Sequence, residues 1–160
     1  MIDASIIRAH QHAAGAEGGQ EHQALGKSCG GFSSKIHAKV DSFGMPLRFV
    51  ITAGQRQECA VAQELMGEEV SDYLLADRGY DHDQLREDLR ARGTIPVIPG
   101  KKNRKIEVEY DSYIYKERNA VERFFNRIKH FRRIATRYDK TAIMFLGGLM
   151  LASILLWIKF

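Results

Sequence analysis

The feature that most constrains this chain is a pair of alternating segments around one short turn. In residues 32–40, Lys35, His37 and Lys39 alternate with Ile36, Ala38 and Val40; in residues 46–52, Leu47, Phe49 and Ile51 alternate with Arg48 and Val50. A period of two is that of a half-exposed strand, with one face turned to a core. The intervening Asp41-Ser-Phe-Gly44 is a turn sequence. Together the segments predict an antiparallel hairpin. Its apolar face needs cover, and the remaining sequence has to supply it.

The other segments read as follows. Ile2-Asp-Ala-Ser-Ile-Ile7 is short and β-branched, a strand by composition. Residues 8–31 lack a period and read as one long loop, in which His10 and His12 suit polar or phosphate contacts better than a metal. Residues 57–66 are helical in composition, with Ala60, Leu65 and Met66 as buried positions. Tyr73-Leu-Leu-Ala76 suits a strand buried on both faces and ends on Asp77-Arg-Gly-Tyr-Asp81. Asp81 with Gln84 forms a capping box for a helix over 82–92, Gly93 stops it, and residues 94–98 give another strand. A basic loop, 101–105, precedes a helix over 115–129, and residues 143–158 form a last helix. Three strands followed by strand–helix alternation predict an α/β fold with a mixed sheet of about five strands and flanking helices. The order is that of the ribonuclease H-like fold, and 160 residues fit a single domain, 1–160.

Charge narrows the partners. Residues 101–140 carry 13 Lys and Arg against 6 Asp and Glu, in a chain whose net charge is only +4. A basic segment on a near-neutral body points to a polyanion, most simply nucleic acid. Two cysteines, Cys29 and Cys59, are too few for a disulfide framework, so a reducing cytoplasm is expected. The apolar run 143–158 would be about 24 Å long as a helix, short of the roughly 30 Å a bilayer core requires. It is expected as a buried helix, with no membrane partner.

Within the helix over 115–129, Tyr115, Arg118, Glu122 and Lys129 are spaced to share one stripe. Val121, Phe124, Ile128, Phe131 and Ala135 form a second, apolar stripe. The helix would dock by its aromatic face and hold Glu122 at the core's edge between two cations and a phenol. In the expected topology the first strand, with Asp3, is central and adjoins the fourth, which ends on Asp77. Ligands of α/β sheets gather at the carboxyl ends of strands. Asp3, Asp77 and Glu122 would then converge, and converging carboxylates repel unless a cation lies between them. An all-oxygen set suits Mg²⁺ or Mn²⁺, and a pair of such ions serves in-line phosphoryl transfer. Asp41 ranks below Asp3 because its turn accounts for it.

These residues carry a resemblance. Tyr115, Arg118, Glu122 and Lys129 reproduce the Y-x2-R-x3-E-x6-K signature of the DDE transposases of bacterial insertion sequences, in the insertion sequence five and four group. Ala76-Asp-Arg-Gly-Tyr-Asp81 resembles that family's second-aspartate motif, and Ile2-Asp-Ala-Ser its first-aspartate strand. Gly30-Gly-Phe-Ser-Ser-Lys-Ile-His37 and residues 124–140 resemble it as well. The resemblance implies Asp3, Asp77 and Glu122 as catalytic metal ligands for two Mg²⁺ or Mn²⁺ ions. It implies cleavage at the element's ends and transfer of the 3′-OH into target DNA, by a dimer or higher assembly associated with the bacterial nucleoid. DNA contacts are expected from Tyr115, Arg118, Lys129, Arg78, Lys101, Lys102, Arg104 and Lys105. Arg78 stands where Lys is commoner. Cys29 stands where Arg is common, and a thiol there would not bind a phosphate as the guanidinium would. The family's upstream DNA-binding region is expected to be absent here, so the chain would be a frameshift partner of an upstream reading frame or a remnant. Alternatives are a nuclease of the same fold that does not join strands, and an inactive DNA-binding remnant.

Overall fold

A computed structural model describes residues 1–28 and 30–159. In chain order its strands are β1 (Ile2–Ala9), β2 (Gly26–Ser28), β3 (Gly31–Val40), β4 (Pro46–Ala53), β5 (Tyr73–Leu75), β6 (Ile95–Val97) and β7 (Thr136–Arg137). The helices are α1 (Gly19–His22), α2 (Ala62–Met66), α3 (Asp83–Ala91), α4 (Ser112–Tyr115), α5 (Asn119–Ile128), α6 (Arg132–Ala135) and α7 (Ala142–Ile158). Two of the short ones, α1 and β2, lie inside the stretch expected to be an unbroken loop. The expectation about Cys29 falls outside the described residues.

Five strands form a mixed sheet centred on β3. β1 runs antiparallel to β3, with Asp3 opposite Ala38 and Ser5 opposite Ile36. β4 pairs on the other side of β3, with Ile51 opposite Ile36 and Phe49 opposite Ala38, which is the expected hairpin. β7 adds in parallel at the far end of β1, through Arg8 and Ala9. One expectation fails here. Among the described residues β5 has no ladder with β1; it pairs in parallel with β6 alone, as a separate two-stranded sheet. The two units meet through side chains instead, Ile2 sharing a core cluster with Leu74, Ala76 and Tyr80.

The hairpin is also less exposed than its alternation predicts. Lys35, His37 and Lys39 are 8%, 0% and 7% exposed. A 3-10 turn, Glu58–Val61, and α2 cover that face. The lysines fit because their stems are apolar and their heads reach the rim. Lys35 Nζ donates to Arg56 O at 2.8 Å and Glu58 Oε1 at 3.3 Å. Lys39 Nζ donates to Met66 O at 2.6 Å and Glu69 Oε2 at 2.9 Å. His37 Nε2 lies 2.9 Å from Thr52 Oγ1. Burial, and then the Lys35 charge, hold its pKa down at about 4, so the ring is neutral. The 3-10 turn also rotates the helix that follows: Leu65 and Met66 are buried as expected, but Ala60 is exposed and Val61 and Ala62 take its place.

The opposite face carries Asp3, Ser5 and Ile7 of β1 and lies under α5. Val121, Phe124, Phe125 and Ile128 are buried there with Ile7, Ile36 and Val40. Phe124 stacks on Phe49 at 5.9 Å. The apolar stripe ends at Ile128, because the chain turns before α6 and leaves Phe131 and Ala135 outside this helix. The hairpin turn fixes the helix along its length. Gly44, at φ 79°, approaches so closely that a Cβ would lie 2.7 Å from Ala120 O, and Arg127 Nη2 donates to Gly44 O at 3.1 Å. Phe124→Ala should remove about 3 kcal/mol of stability, through reduced burial and the cavity left behind. It should also lower the rate per folded molecule, because Glu122 lies half a turn away on the same helix. Urea unfolding beside single-turnover kinetics separates the two effects; an unchanged rate would mean that α5 packing does not aim Glu122.

Two further expectations are corrected. α7 is not a buried helix. Phe145, Leu149, Ala152 and Ser153 face the core, while Ile143, Met144, Leu151, Ile154 and Ile158 are at least half exposed. No helix among the described residues is long and apolar enough to cross a membrane. Asp81 does not cap α3, whose N-cap His82 makes no side-chain cap bond. It is buried instead, and its Oδ1 receives Arg86 Nε and Nη2 at 3.0 and 2.8 Å and Arg104 Nη1 at 3.0 Å. Burial pushes this carboxyl up, but the Lys101 amide, Arg86 and Arg104 outweigh it and hold the pKa below the ordinary range.

Candidate active site

Alternation along β1 turns Asp3 and Ser5 toward α5. Between α4 and α5 the chain tightens into a 3-10 turn, Lys116–Arg118. At three residues per turn, positions i and i+3 eclipse, which sets the Arg118 guanidinium over the Tyr115 ring at 5.6 Å. Arg118 Nη1 donates to Asp3 Oδ2 at 2.9 Å, and Nη2 donates to Glu122 Oε1. One guanidinium therefore bridges a carboxylate from β1 and a carboxylate from α5, 119 positions apart in the chain. Lys129 is the C-cap of α5 rather than a helical residue, and its Nζ donates to Ser5 Oγ at 2.6 Å. Arg118 and Lys129 thus bind β1 through Asp3 and Ser5, and Tyr115 and Glu122 are tied to it through Arg118.

Asp77 follows β5 and caps the 3-10 turn Arg78–Tyr80, accepting from the Gly79 amide at 2.8 Å. It is close enough for its charge to act on Asp3. Burial raises the Asp3 pKa to about 6; the Ala4 amide and Arg118 lower it, and Asp77 and Glu58 push it up again. As the side chains stand, no three of the described His, Cys, Asp and Glu residues are grouped to hold an ion. The donors nonetheless suit one in kind: all are carboxylate oxygens, and burial disfavours the charged form of Asp3 unless a cation accompanies it, as Arg118 does here.

The shift gives a measurable slope. The folded-state pKa of Asp3 lies above its ordinary 3.8. Folding therefore retains a proton that the unfolded chain releases, and stability falls as pH rises from about 4 to about 6, by on the order of 3 kcal/mol. Buried neutral His37 acts oppositely, since its stabilisation is lost as pH falls below its ordinary 6.5 toward about 4. The difference between wild type and Asp3→Asn in EDTA, followed by urea unfolding across this range, isolates the Asp3 slope. Parallel pH profiles would refute it.

The remaining candidates divide. Arg78, Lys101, Lys102 and Lys105 are exposed. Arg104 is turned inward, onto Asp81 and Asp83, and anchors the basic loop to the start of α3. Asp41 spends its Oδ1 on the amides of Phe43 and Met45 at 2.9 and 2.8 Å, closing its turn. A surface groove of about 1080 Å³ between residues 20–27 and 50–64 contains none of the three acids. Sequence reasoning missed Glu58, whose charge acts on Asp3, and gave Tyr80 and Ser5 no role. For Tyr80 a signal existed, since it lies inside the second-aspartate motif; for Glu58 there was none.

The model of the family described as "Transposase DDE domain" matches residues 1–157. A Brucella ovis protein named "Putative transposase for insertion sequence element IS6501" is 38% identical over 132 residues, covering 79% of this chain and 99% of the relative. A Burkholderia cepacia protein named "Putative transposase for insertion sequence element IS402" is 31% identical over 121 residues, covering 68% of this chain and 55% of the relative. No solved structure matches.

Proposed function

Because the chain belongs to the family of transposase DDE domains, we propose that it carries out metal-dependent DNA strand cleavage and 3′-OH strand transfer, from a ribonuclease H-like domain. The observation that carries this reading is the Arg118 bridge between Asp3 and Glu122, with Asp77 acting on Asp3. A cation drawing in the same carboxylates would find them already brought together by β1 and α5.

In this reading Asp3, Asp77 and Glu122 would hold two Mg²⁺ or Mn²⁺ ions. When bound, such ions activate the attacking oxygen and stabilise the leaving one. The chain's own residues do the rest. Arg118 neutralises Asp3 and Glu122, and its planar guanidinium would also suit a DNA phosphate. Tyr115 steadies Arg118 by stacking. Lys129, resting on the Ser5 hydroxyl, contacts the phosphate backbone beside the scissile position. Lys101, Lys102, Lys105 and Arg78 add sequence-independent attraction. Arg104 positions their loop rather than meeting DNA. Acting on two element ends implies two or more copies assembled on DNA.

The test is a strand-transfer assay with Mg²⁺ on DNA bearing the element's ends. Joined products are expected with wild type and not with Glu122→Gln. Cleaved but unjoined products would favour a nuclease, and metal-independent binding without cleavage would refute the proposal.

A further inference from the structure

His10, His12 and Tyr138 bring three rings together at the surface, and the proposed mechanism uses none of them. The His10 ring stacks on Tyr138 with centroids 5.1 Å apart and planes at 28°, and His12 meets His10 edge-on at 4.5 Å. The backbone sets this pairing. β7 runs beside β1 with Arg137 opposite Ala9, and the His10 amide donates to Arg137 O at 2.8 Å. The rings belong to no core: Tyr138 is 42% exposed and His12 is exposed. His10 covers one face of Tyr138, so the exposure falls on the other face and the rim. The two histidines are not arranged for a metal. His10 Nδ1 accepts from the His12 amide at 3.2 Å, and no third His, Cys, Asp or Glu joins them among the described residues.

Arg137 makes the second, independent observation. It is 0% exposed and bonds no carboxylate. Its Nε donates to Asp139 O at 2.9 Å and Nη2 to Lys140 O at 3.2 Å, while Nη1 donates to Ser34 Oγ at 2.6 Å and Ala24 O at 3.3 Å. A buried guanidinium paired with carbonyls and a hydroxyl is a weak source of stability. What it does is hold the backbone that follows Tyr138, as the Arg137 carbonyl holds His10. The Tyr138 ring is thereby fixed before any ligand arrives. Cations surround it. Arg8 pairs with Thr136 across the strands, and Arg8, Arg132, Arg133 and Lys140 are all exposed. None of these four has an ion-pair partner among the described residues. Asp139 is the one acid between residues 130 and 140.

We propose that the open face of Tyr138, backed by His10 and His12, is a stacking platform for an unpaired base of a DNA strand. This rests on the reading of the chain as a domain that acts on DNA. Exposed rings among unpaired cations match single-strand binding, in which bases stack on aromatic faces and cations follow the phosphates. The interior of a duplex offers no free base face, so the occupant is a base at a frayed or single-stranded end. His10 stands seven residues beyond Asp3, directly after β1. That separation is about 23 Å at about 3.3 Å per residue, or roughly six to seven nucleotides along one strand. Lys129, bonded to Ser5, lies between the two. The platform therefore takes a base that flanks the reacting position, and sets the register of the strand along β1.

The experiment is DNA binding by the full chain in EDTA, so that no cleavage intervenes. The probes are a single-stranded oligonucleotide carrying 2-aminopurine, whose fluorescence falls on stacking, and a blunt duplex of the same length. The proteins are wild type, Tyr138→Leu, Tyr138→Phe and the double variant Arg132→Ala with Arg133→Ala; circular dichroism and thermal unfolding establish folding in each. Tyr138→Leu is expected to weaken single-strand binding about tenfold and to remove the quenching, while Tyr138→Phe, which keeps the ring, stays within about twofold of wild type. Duplex affinity of Tyr138→Leu should stay within about twofold, and its salt dependence should not change, because attraction to the phosphates does not use the ring. The arginine variant should instead flatten the salt dependence on both DNAs, by about one in slope for each arginine lost. If wild type binds the oligonucleotide and folded Tyr138→Leu binds and quenches it equally well, the platform is overturned and the DNA reading stands. An equal loss on duplex and single strand, or an equal loss in Tyr138→Phe, overturns it as well. If wild type binds neither DNA, the DNA reading itself fails and the platform with it.

Discussion

Glu122→Gln is expected to leave the fold intact and to lower strand transfer by about a thousandfold or more, a loss of at least about 4 kcal/mol of transition-state stabilisation. The first half follows from its surroundings. The Glu122 side chain is 49% exposed and its one ion-pair partner among the described residues is Arg118, and an exposed pair of this kind contributes about 0–1 kcal/mol to stability. Arg118 retains Asp3 after the substitution. The second half follows from the proposed role, because an amide cannot offer a cation the charge of a carboxylate. Glu122 is a cleaner probe than Asp77, whose carboxylate also caps the turn at Gly79 and whose removal would destabilise the fold by about 1 kcal/mol in addition. The measurement is single-turnover strand transfer beside thermal unfolding. A full rate with wild-type Tm would remove Glu122 from the mechanism.

Asp81→Ala is expected to have the largest effect on stability, a loss of about 3–5 kcal/mol. Arg86 is 2% exposed and points three hydrogen-bonding groups inward: two bonds go to Asp81, a third reaches Ile98 O at 2.8 Å, and Nη1 has no partner among the described residues. Without the carboxylate a buried guanidinium would be left with one carbonyl. The same carboxylate accepts from the Lys101 amide at 2.8 Å and from Arg104, so the basic loop would lose its anchor. DNA binding should weaken even where the protein stays folded. Asp81→Ala with Arg86→Met removes both charges and should recover much of the stability but not the loop's position. Denaturant unfolding and DNA-binding isotherms on both variants test this. A single substitution that costs under about 1 kcal/mol would show the pair to be solvated.

Much of the site was legible because its chemistry is spaced along single elements. Tyr115, Arg118 and Glu122 follow helical and 3-10 periods, and one stretch of chain determines such periods. The hairpin 31–53 was legible for the same reason, and so were the strands at residues 2–9 and 73–75 and the turn that Asp41 closes. The misread features depend on what packs against a segment. Alternation in β3 gave the strand but not its exposure, since a cover from residues 58–66 turned the lysine face into an interior. The apolar run 143–158 gave a helix, but only the sheet's extent decides how much of its circumference finds cover.

For this protein the sequence alone determined the secondary structure of its long elements, the acids Asp3, Asp77 and Glu122 as candidates, and the basic character of residues 101–140. These follow from local periodicity, turn chemistry and charge. Only the tertiary structure decided that β5 stands apart from β1, that Arg118 binds Asp3 as well as Glu122, that Asp81 is a buried ion-pair centre rather than a helix cap, and that Glu58 and Asp77 flank Gly79. Each of these is a contact between residues distant in the chain. Its energy depends on burial and on neighbours brought in by other elements, so no single segment encodes it.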